Sequence, residues 1–596
     1  MTEHLLIGIA SIVVLGVGAQ WLAWRMGLPA ILLLLIIGFV AGPVTGFLDP
    51  DEIFGDLLLP IVSISVALIL FEGGLTLRVS ELKGFGGVVR NLVTIGVVVT
   101  WLIGSLAAGY LLGLDLALSV LVGAVLVVTG PTVIVPLLRH VRPVGHLGSI
   151  LKWEGIVIDP IGAMLAVRVF EGIVAGGGGG GLREAGSHAL MGIVKTILAG
   201  GLTGAAGAAL MVFFLRRYWI PDFLQNPVTV MVVVGAFAAS NYLQAESGLL
   251  AVTVMGIALA NQKAVTVKHI VEFKENLRVL LISSLFILLA ARLDFSDFSG
   301  VGVGGVLFLL VLIVAARPLS VFFSTLGSGL SGKEKIFLGC MAPRGIVAAA
   351  IASVFSMRLV EAGHAGAEML VPITFMVIIG TVAVYGLGAL PVARSLGLSS
   401  PNPQGVLFAG AHPWAREIAA ALSKEGFEVM LVDNNWTNVS KARLAGLPAH
   451  YGSILAESLP AELELGGIGR LLALTHNDNV NSLAALHFTD AFGRKYVYQL
   501  PPEDEGRVSQ TLRGRLLFGS ERTYSYLARR FASGAVVKTT KLTGEFGFEA
   551  FRKKYAGAVP LFLITEKREV VTFATDNQAE PKPGQTLISV VDEEEG

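Results

Sequence analysis

The 596 residues are 54% hydrophobic and only 15% charged, with 72 glycines, a composition too apolar for a disordered chain or for one soluble domain. The 44 Lys and Arg cancel the 44 Asp and Glu, so no charge excess points to a nucleic-acid partner. The single cysteine, Cys340, excludes a disulfide scaffold and a cysteine-rich metal centre.

The averages conceal a change near residue 400. Before it, apolar runs of about 20 residues recur, the length that crosses a ~30 Å hydrocarbon core. Thirteen spans are expected, over 4–24, 29–47, 57–77, 88–112, 116–137, 149–174, 187–215, 226–243, 247–263, 276–293, 301–323, 334–358 and 367–394. The first carries Glu3 rather than Lys or Arg ahead of its apolar run and reads as a span, not a cleaved signal. Basic residues gather at alternate ends, at Arg25, Arg78, Lys83, Arg90, Arg142, Lys152, Arg216, Arg217, Lys263, Arg278, Lys333, Lys335 and Arg394. The opposite ends carry connections such as "DPDEIFGD" and the glycine run 176–181, expected as a flexible outer loop. The positive-inside rule then places the N-terminus outside and the C-terminal domain in the cytoplasm.

Ionisable residues inside the spans mark function by default. At 1.5 Å per residue, Asp159 lies about 15 Å from the cytoplasmic start of the sixth span, near the midplane. Glu154 and Arg317 share a shallower depth and oppose in charge, so a buried pair between the sixth and eleventh spans is the economical arrangement. Asp159 is left without a basic partner. A carboxylate whose charged form is disfavoured by burial can take a proton and exchange it for a metal cation. The alternative is a protonated Asp bonded to a backbone carbonyl, since Pro160 deprives the Ile156 carbonyl of its helical donor.

Two spans carry helix breakers: the fifth at Thr129, Gly130 and Pro131, the twelfth at Pro343, Arg344 and Gly345. Interrupted helices at corresponding positions of two halves point to a transporter site built from inverted repeats, against the alternative of ordinary proline kinks. Arg344 is expected to stand exposed at its break, offsetting helix-end partial charges or stabilising a crossing. Glu72, fifteen residues into the third span, either lines an ion funnel or helps the cytoplasmic end pack.

The joint "LSSPNPQG" divides a membrane domain (1–397) and a linker (398–404) from a Rossmann-like α/β domain (405–540) and a small β-rich subdomain (541–596). Strand and helix patterns alternate from Gly405, as a parallel sheet requires. The first turn holds Gly410, His412 and Ala415 in a degenerate G-x-G-x-x-G/A, and Asp433 follows where a ribose-binding acid falls. His412 replaces the glycine that lets a pyrophosphate approach. A dinucleotide, a mononucleotide and no ligand therefore all stay open, the last with a scaffold used only for dimerisation. No catalytic triad, hydride-transfer site or metal-ligand cluster is visible, and an enzyme is not expected.

"LILFEGGL", Thr129, Glu154 five residues before Asp159, Arg317 in "AARPLS" and "APRGIVAAAI" together resemble the monovalent cation:proton antiporter-1 family, over residues 5–395. The resemblance implies a polytopic α-helical fold of thirteen helices with a dimerisation scaffold and a mobile core. The fifth and twelfth helices would be broken and crossed at Gly130, Pro131, Pro343 and Arg344, and the core would move as an elevator. Asp159 and Thr129 would hold the ion, and Glu154 and Arg317 would form a structural pair; Glu72, in the funnel reading, is a further ion- or proton-binding candidate. Three polar side chains usual in that family are replaced here, by Gly130, Gly155 and Ile158. The chain from Gly405 resembles the regulator-of-potassium-conductance (RCK) domain of the TrkA N-terminal type, and "VPLFLITEKREVV" with "PKPGQTLISVV" resembles its small C-terminal partner. That likeness implies a homodimer gated by an ion or by a regulatory nucleotide (AMP, ATP or NAD(H)) at Gly410, His412, Ala415 and Asp433. The expected function is a secondary antiporter exchanging Na⁺ or K⁺ for H⁺. One midplane carboxylate makes that exchange electroneutral, and no covalent cofactor is involved. An RCK-gated cation channel is the alternative, although no carbonyl-lined filter motif is visible; a transceptor is a third.

Overall fold

The computed structural model describes all residues except 1, 27, 177–181, 266, 294–301, 400–402, 457–458, 460–462, 464, 505–512, 578 and 593–596. Side chains are further left out at 2–4, 139–140, 175–176, 182–190, 268–269 and 271–275. Most of the glycine run expected as an outer loop therefore lies outside the described residues. The chain divides into two compact units, Met1–Ser399 and Ser400–Gly596.

Among the described residues, each of the thirteen expected spans contains helix. They are α1 (Thr2–Met26), α2 (Ala30–Phe39), α3 (Pro50–Phe54), α4 (Leu58–Leu75), α5 (Gly86–Leu92), α6 (Ile95–Leu112), α7 (Leu116–Val125) and α8 (Pro131–Val141). There follow α9 (Leu147–Gly176), α10 (Leu182–Arg216), α11 (Asp222–Leu243), α12 (Ser247–Asn261), α13 (Lys268–Ala291), α14 (Gly302–Val311), α15 (Arg317–Ser324), α16 (Gly332–Gly339), α17 (Ile346–Glu361) and α18 (Leu370–Leu396). Among the described residues seven helical stretches are long and apolar enough to cross a membrane, and four further apolar helices are shorter. The helices exceed the spans in number because four spans are interrupted, the fourth being α5 and α6, and because α3 lies between the second and third spans. The fifth span is α7 and α8, the twelfth is α16 and α17, and the eleventh is α14 and α15 joined by a π-helical turn at Leu312–Ala316. Pro318 explains that turn: it has no N–H to give the carbonyl of Val314, so the ladder widens just ahead of Arg317.

The second unit is α/β. Six parallel strands run in the order β3-β2-β1-β4-β5-β6: β1 (Gly405–Ala409), β2 (Val429–Asp433), β3 (Ala449–Tyr451), β4 (Ile468–Ala473), β5 (Val497–Gln499) and β6 (Arg515–Leu516). Helices α19 (Pro413–Lys424), α20 (Trp436–Leu444) and α21 (Asp478–His487) make three of the crossovers. The order reverses between β1 and β4, the switch point at which doubly wound sheets bind ligands. Helices α22 (Thr489–Phe492) and α23 (Tyr524–Ala532) precede an antiparallel sheet ordered β7-β10-β8-β9. Its members are β7 (Val536–Lys541), β8 (Val559–Ile564), β9 (Val570–Thr572) and β10 (Thr586–Val591), with α24 (Phe548–Lys554) between β7 and β8. The boundary expected at 540 thus cuts through β7; the second sheet starts at Val536. Its alternating, largely exposed "VVKTTK" hid this strand, because only the longer apolar strands after it read clearly. One apolar core joins Val406, Phe408 and Trp414 to Leu561, Phe562 and Ile588, so the two sheets share their packing.

Candidate functional site

Both breaks arise from local chemistry. Proline lacks an N–H and disfavours helical backbone in the residue before it, so α7 cannot run into α8. Gly130 is extended (φ −71°, ψ 114°) and caps α8, whose first residue is Pro131. In the twelfth span α16 stops at Gly339, Pro343 lies in the break, and extended Gly345 (φ −128°, ψ −174°) caps α17. The two breaks cross. The Gly130 amide donates to the Pro343 carbonyl at 3.0 Å. A Cβ built on Gly130 would lie 2.5 Å from the Cα of Gly345, so the crossing admits no side chain at either position.

Arg344 is buried, 3% exposed, which corrects the expectation that it stands open at its break. Its Nη1 donates to the carbonyls of Val127 and Val128 at 3.0 and 3.2 Å, groups left without helical donors where α7 ends. The backbone amide of Arg344 donates to Thr381 Oγ1 of α18 at 3.1 Å. The guanidinium of one broken helix therefore caps the negative end of the other.

Asp159 is aimed at this crossing. On α9, positions 155, 159 and 162 share one face at i, i+4 and i+7. A Cβ on Gly155 would meet Ile134 and Pro131, and one on Gly162 would meet Val128. The carboxylate between them thus faces the stretch 128–131. Asp159 is fully buried, and neither carboxylate oxygen has a hydrogen-bond partner among the described residues. The buried hydroxyls of Thr129 and Thr132 are likewise unpartnered. Thr132 was not anticipated; the only sign of it in the sequence is its place one residue after Pro131.

Glu154 lies a turn below and pairs with Arg317: Nη1 donates to Oε1, and Nη2 to Oε2 at 2.9 Å. The Nε of Arg317 donates to the Leu338 carbonyl at 3.0 Å. This bidentate pair ties α9, α15 and the end of α16 together beneath the crossing. Glu72 pairs with Arg278 of α13 at 3.1 Å. A narrow cleft is lined by Glu72, Arg278, Pro131, Thr132 and Pro136. Arg278, read from sequence only as a marker of sidedness, is thus part of its wall.

Carboxylate and hydroxyl oxygens at a broken-helix crossing suit a hard monovalent cation. Among the described residues no cluster of three or more His, Cys, Asp or Glu could hold a tightly bound metal.

In the second unit, the side chains at the switch point are bonded within the chain. The His412 Nε2 bonds the Leu474 carbonyl beyond β4 at 2.8 Å, and its Nδ1 accepts, at a long 3.4 Å, from the Ala415 amide at the start of α19. Burial holds the imidazole down at about 4, so near neutral pH the ring is uncharged, with Nε2–H as donor. Asp433 accepts from the amides of Ala411 and Asn435, both at 2.8 Å, and from Asn438 Nδ2 at 3.0 Å. Gly410 keeps the tight turn with φ of 113°. Of the residues expected at this turn, His412 and Ala415 are bonded to each other, and Asp433 is bonded to Ala411, Asn435 and Asn438.

The fold and the crossing define a membrane carrier of the broken-helix type. The sodium/hydrogen exchanger transmembrane model matches residues 9–394 and the TrkA-N domain model residues 406–501, and the chain belongs to the sodium/hydrogen exchanger family. It is 27% identical to the K(+)/H(+) antiporter NhaP of Alkalimonas amylolytica, over 67% of this chain and 68% of that protein. It is 29% identical to Na(+)/H(+) antiporter 1 of Methanocaldococcus jannaschii, over 58% of this chain and 82% of that one. The structure of the sodium proton antiporter MjNhaP1 from that archaeon at pH 8 superposes with a TM-score of 0.57 at 27% identity, covering 66% of this chain and 99% of that one.

Proposed function

We propose that this protein is a secondary antiporter that exchanges Na⁺ or K⁺ for H⁺ across a prokaryotic plasma membrane, with proton and cation competing for Asp159. The observation that carries this reading is that Asp159, Thr129 and Thr132, on the elements that pack at a crossing of two broken helices, are buried and without a hydrogen-bond partner among the described residues. An alkali cation needs several oxygen ligands and a proton needs one. When Asp159 carries the proton it offers the cation no charge; when it releases the proton, carboxylate and hydroxyl oxygens can replace part of the hydration shell. The likeness to the named antiporters supports exchange and does not choose between Na⁺ and K⁺, since relatives of both names match. The single carboxylate at the crossing supports one-for-one, electroneutral exchange. The crossing and its α9 face form the moving part of an elevator, and the cleft beside Glu72 serves as its cytoplasmic entry. Two copies assemble through the membrane scaffold and the RCK-type domain.

The test is collapse of a pH gradient in proteoliposomes by Na⁺, K⁺ and Li⁺ in turn, for wild type and Asp159→Asn. The variant should be folded and inactive. Exchange at the wild-type rate in the variant would refute the assignment. A net charge moved per cycle would couple transport to voltage by about 2.3 kcal/mol per 100 mV; rates that respond to an imposed potential would refute the one-for-one count.

A further inference from the structure

We infer that the TrkA-N domain of this chain is closed to nucleotides, because the His412 side chain occupies the phosphate position of the crevice and α23 covers it. In doubly wound folds the phosphates lie against the first βα turn and the N-terminus of the following helix, where small residues let the backbone approach and free amides receive the anion. Here that space holds an imidazole. Its Nε2 reaches the Leu474 carbonyl beyond β4, and its Nδ1 caps α19 at the Ala415 amide.

The ring is also fixed from above. Tyr524, the first residue of α23, meets it edge-on at 5.3 Å between centroids, and Trp414 lies 4.1 Å from it. Trp414 in turn stacks on Phe531 at the other end of α23, at 6.0 Å. The helix is held in place by its Thr523 cap and by Glu503, which accepts from the Ser525 amide at 2.8 Å. Asp433 offers little to a ribose, because three donors already take three of its roughly four acceptor positions. The crevice is thereby turned into packing. It locks the helix that leads into the antiparallel sheet, and the two sheets act as one ligand-independent body.

The test uses the full chain in detergent or nanodiscs, with AMP, ATP and NAD⁺ as probes and equilibrium binding and thermal shift as readouts. Wild type should show no saturable binding up to about 1 mM, a contribution of no more than ~4 kcal/mol. His412→Gly removes the ring, and glycine serves well as an N-cap. His412→Ser removes it while keeping a capping oxygen. Either variant should gain binding of at least one probe by tenfold or more. Saturable wild-type binding at 0.1 mM or tighter, on the order of −5.5 kcal/mol, would overturn the inference. So would two folded variants that bind no better than wild type. Proton–cation exchange in vesicles should ignore all three nucleotides; stimulation or inhibition by any of them would also overturn it. This outcome is independent of whether Asp159 is the exchange site.

Discussion

Glu154→Gln tests the framework beneath the site. Glu154 and Arg317 are 1% and 4% exposed, and three guanidinium nitrogens are satisfied, two by the carboxylate and one by the Leu338 carbonyl. Glutamine keeps one acceptor oxygen and points an NH₂ group at a cation, leaving a buried charge uncompensated. Breaking a buried pair in this way costs about 3–5 kcal/mol. An internal control exists in Arg292–Asp51, a 2.9 Å pair whose side chains are 34% and 56% exposed. There Asp51→Asn should cost at most about 1 kcal/mol, because water screens both partners. Thermal unfolding of the purified full chain in one detergent should separate them, with Glu154→Gln lower by on the order of 10 °C and Asp51→Asn by no more than a few degrees. The double variant Glu154→Gln/Arg317→Met should recover part of the loss, since no buried charge remains. Equal melting shifts for the two single variants would refute the argument from burial.

Arg344→Leu strips the Val127 and Val128 carbonyls of their donor. It should abolish exchange in vesicles at unchanged expression, whereas Arg358→Leu, at the last turn of α17, should leave exchange near wild type. Thr132→Val removes one unpartnered hydroxyl and should raise the cation KM by roughly tenfold, about 1.4 kcal/mol, with kcat little changed. Arg470 is buried and donates to the Val570 carbonyl and, at 2.8 Å, to Gln404; Arg470→Ala should loosen the joint between the two sheets, read as faster hydrogen exchange at β9. The His412 imidazole, ordinarily near 6.5, is depressed to about 4 by burial, so the unfolded chain binds more protons between these values. Its contribution is full above pH 6.5 and falls by up to about 3 kcal/mol as pH drops toward 4; His412→Gln should flatten this part of the stability profile of the second unit, and an unchanged profile would count against the buried ring.

The spans, the breaks and the depth-matched pair were legible because each rests on local sequence chemistry: apolar length, proline without an N–H, and opposite charges at one level. What was not legible depends on partners far along the chain. Arg344 looked like an exposed charge because its acceptors, Val127 and Val128, lie more than 200 residues away. Arg278 looked like a sidedness marker until its partner Glu72 on another helix was seen. The sequence shows that the turn is degenerate, but that His412 is bonded to Leu474 and in ring contact with Tyr524 needs the β1–β4 switch point and α23 in place. In the second sheet, β7 escaped because its side chains are mostly exposed and polar, leaving no apolar run to mark it.

The three positions where the antiporter-1 resemblance leads one to expect polar side chains are not equivalent in space, and this yields a last prediction. Gly130 is closed by backbone, with the Cα of Gly345 at 2.5 Å from any Cβ. Ile158 belongs to an apolar cluster with Val97 and Val127, where an amide would lose packing and find no water. At Gly155 the obstacle is the Cδ1 of Ile134, 2.9 Å from a Cβ and the movable end of a side chain. Serine is also a better helix residue than glycine. Gly155→Ser should therefore fold, stay active and place a hydroxyl on the α9 face that carries Asp159, lowering the KM for one alkali cation relative to the others. Gly130→Ala should lose exchange, because even one methyl group forces the two broken helices apart. Competition among Na⁺, K⁺ and Li⁺ in proteoliposomes reads both. If Gly130→Ala exchanges normally while Gly155→Ser is inactive, the crossing is not packed as described, and the oxygen ligands assigned around Asp159 must be sought elsewhere.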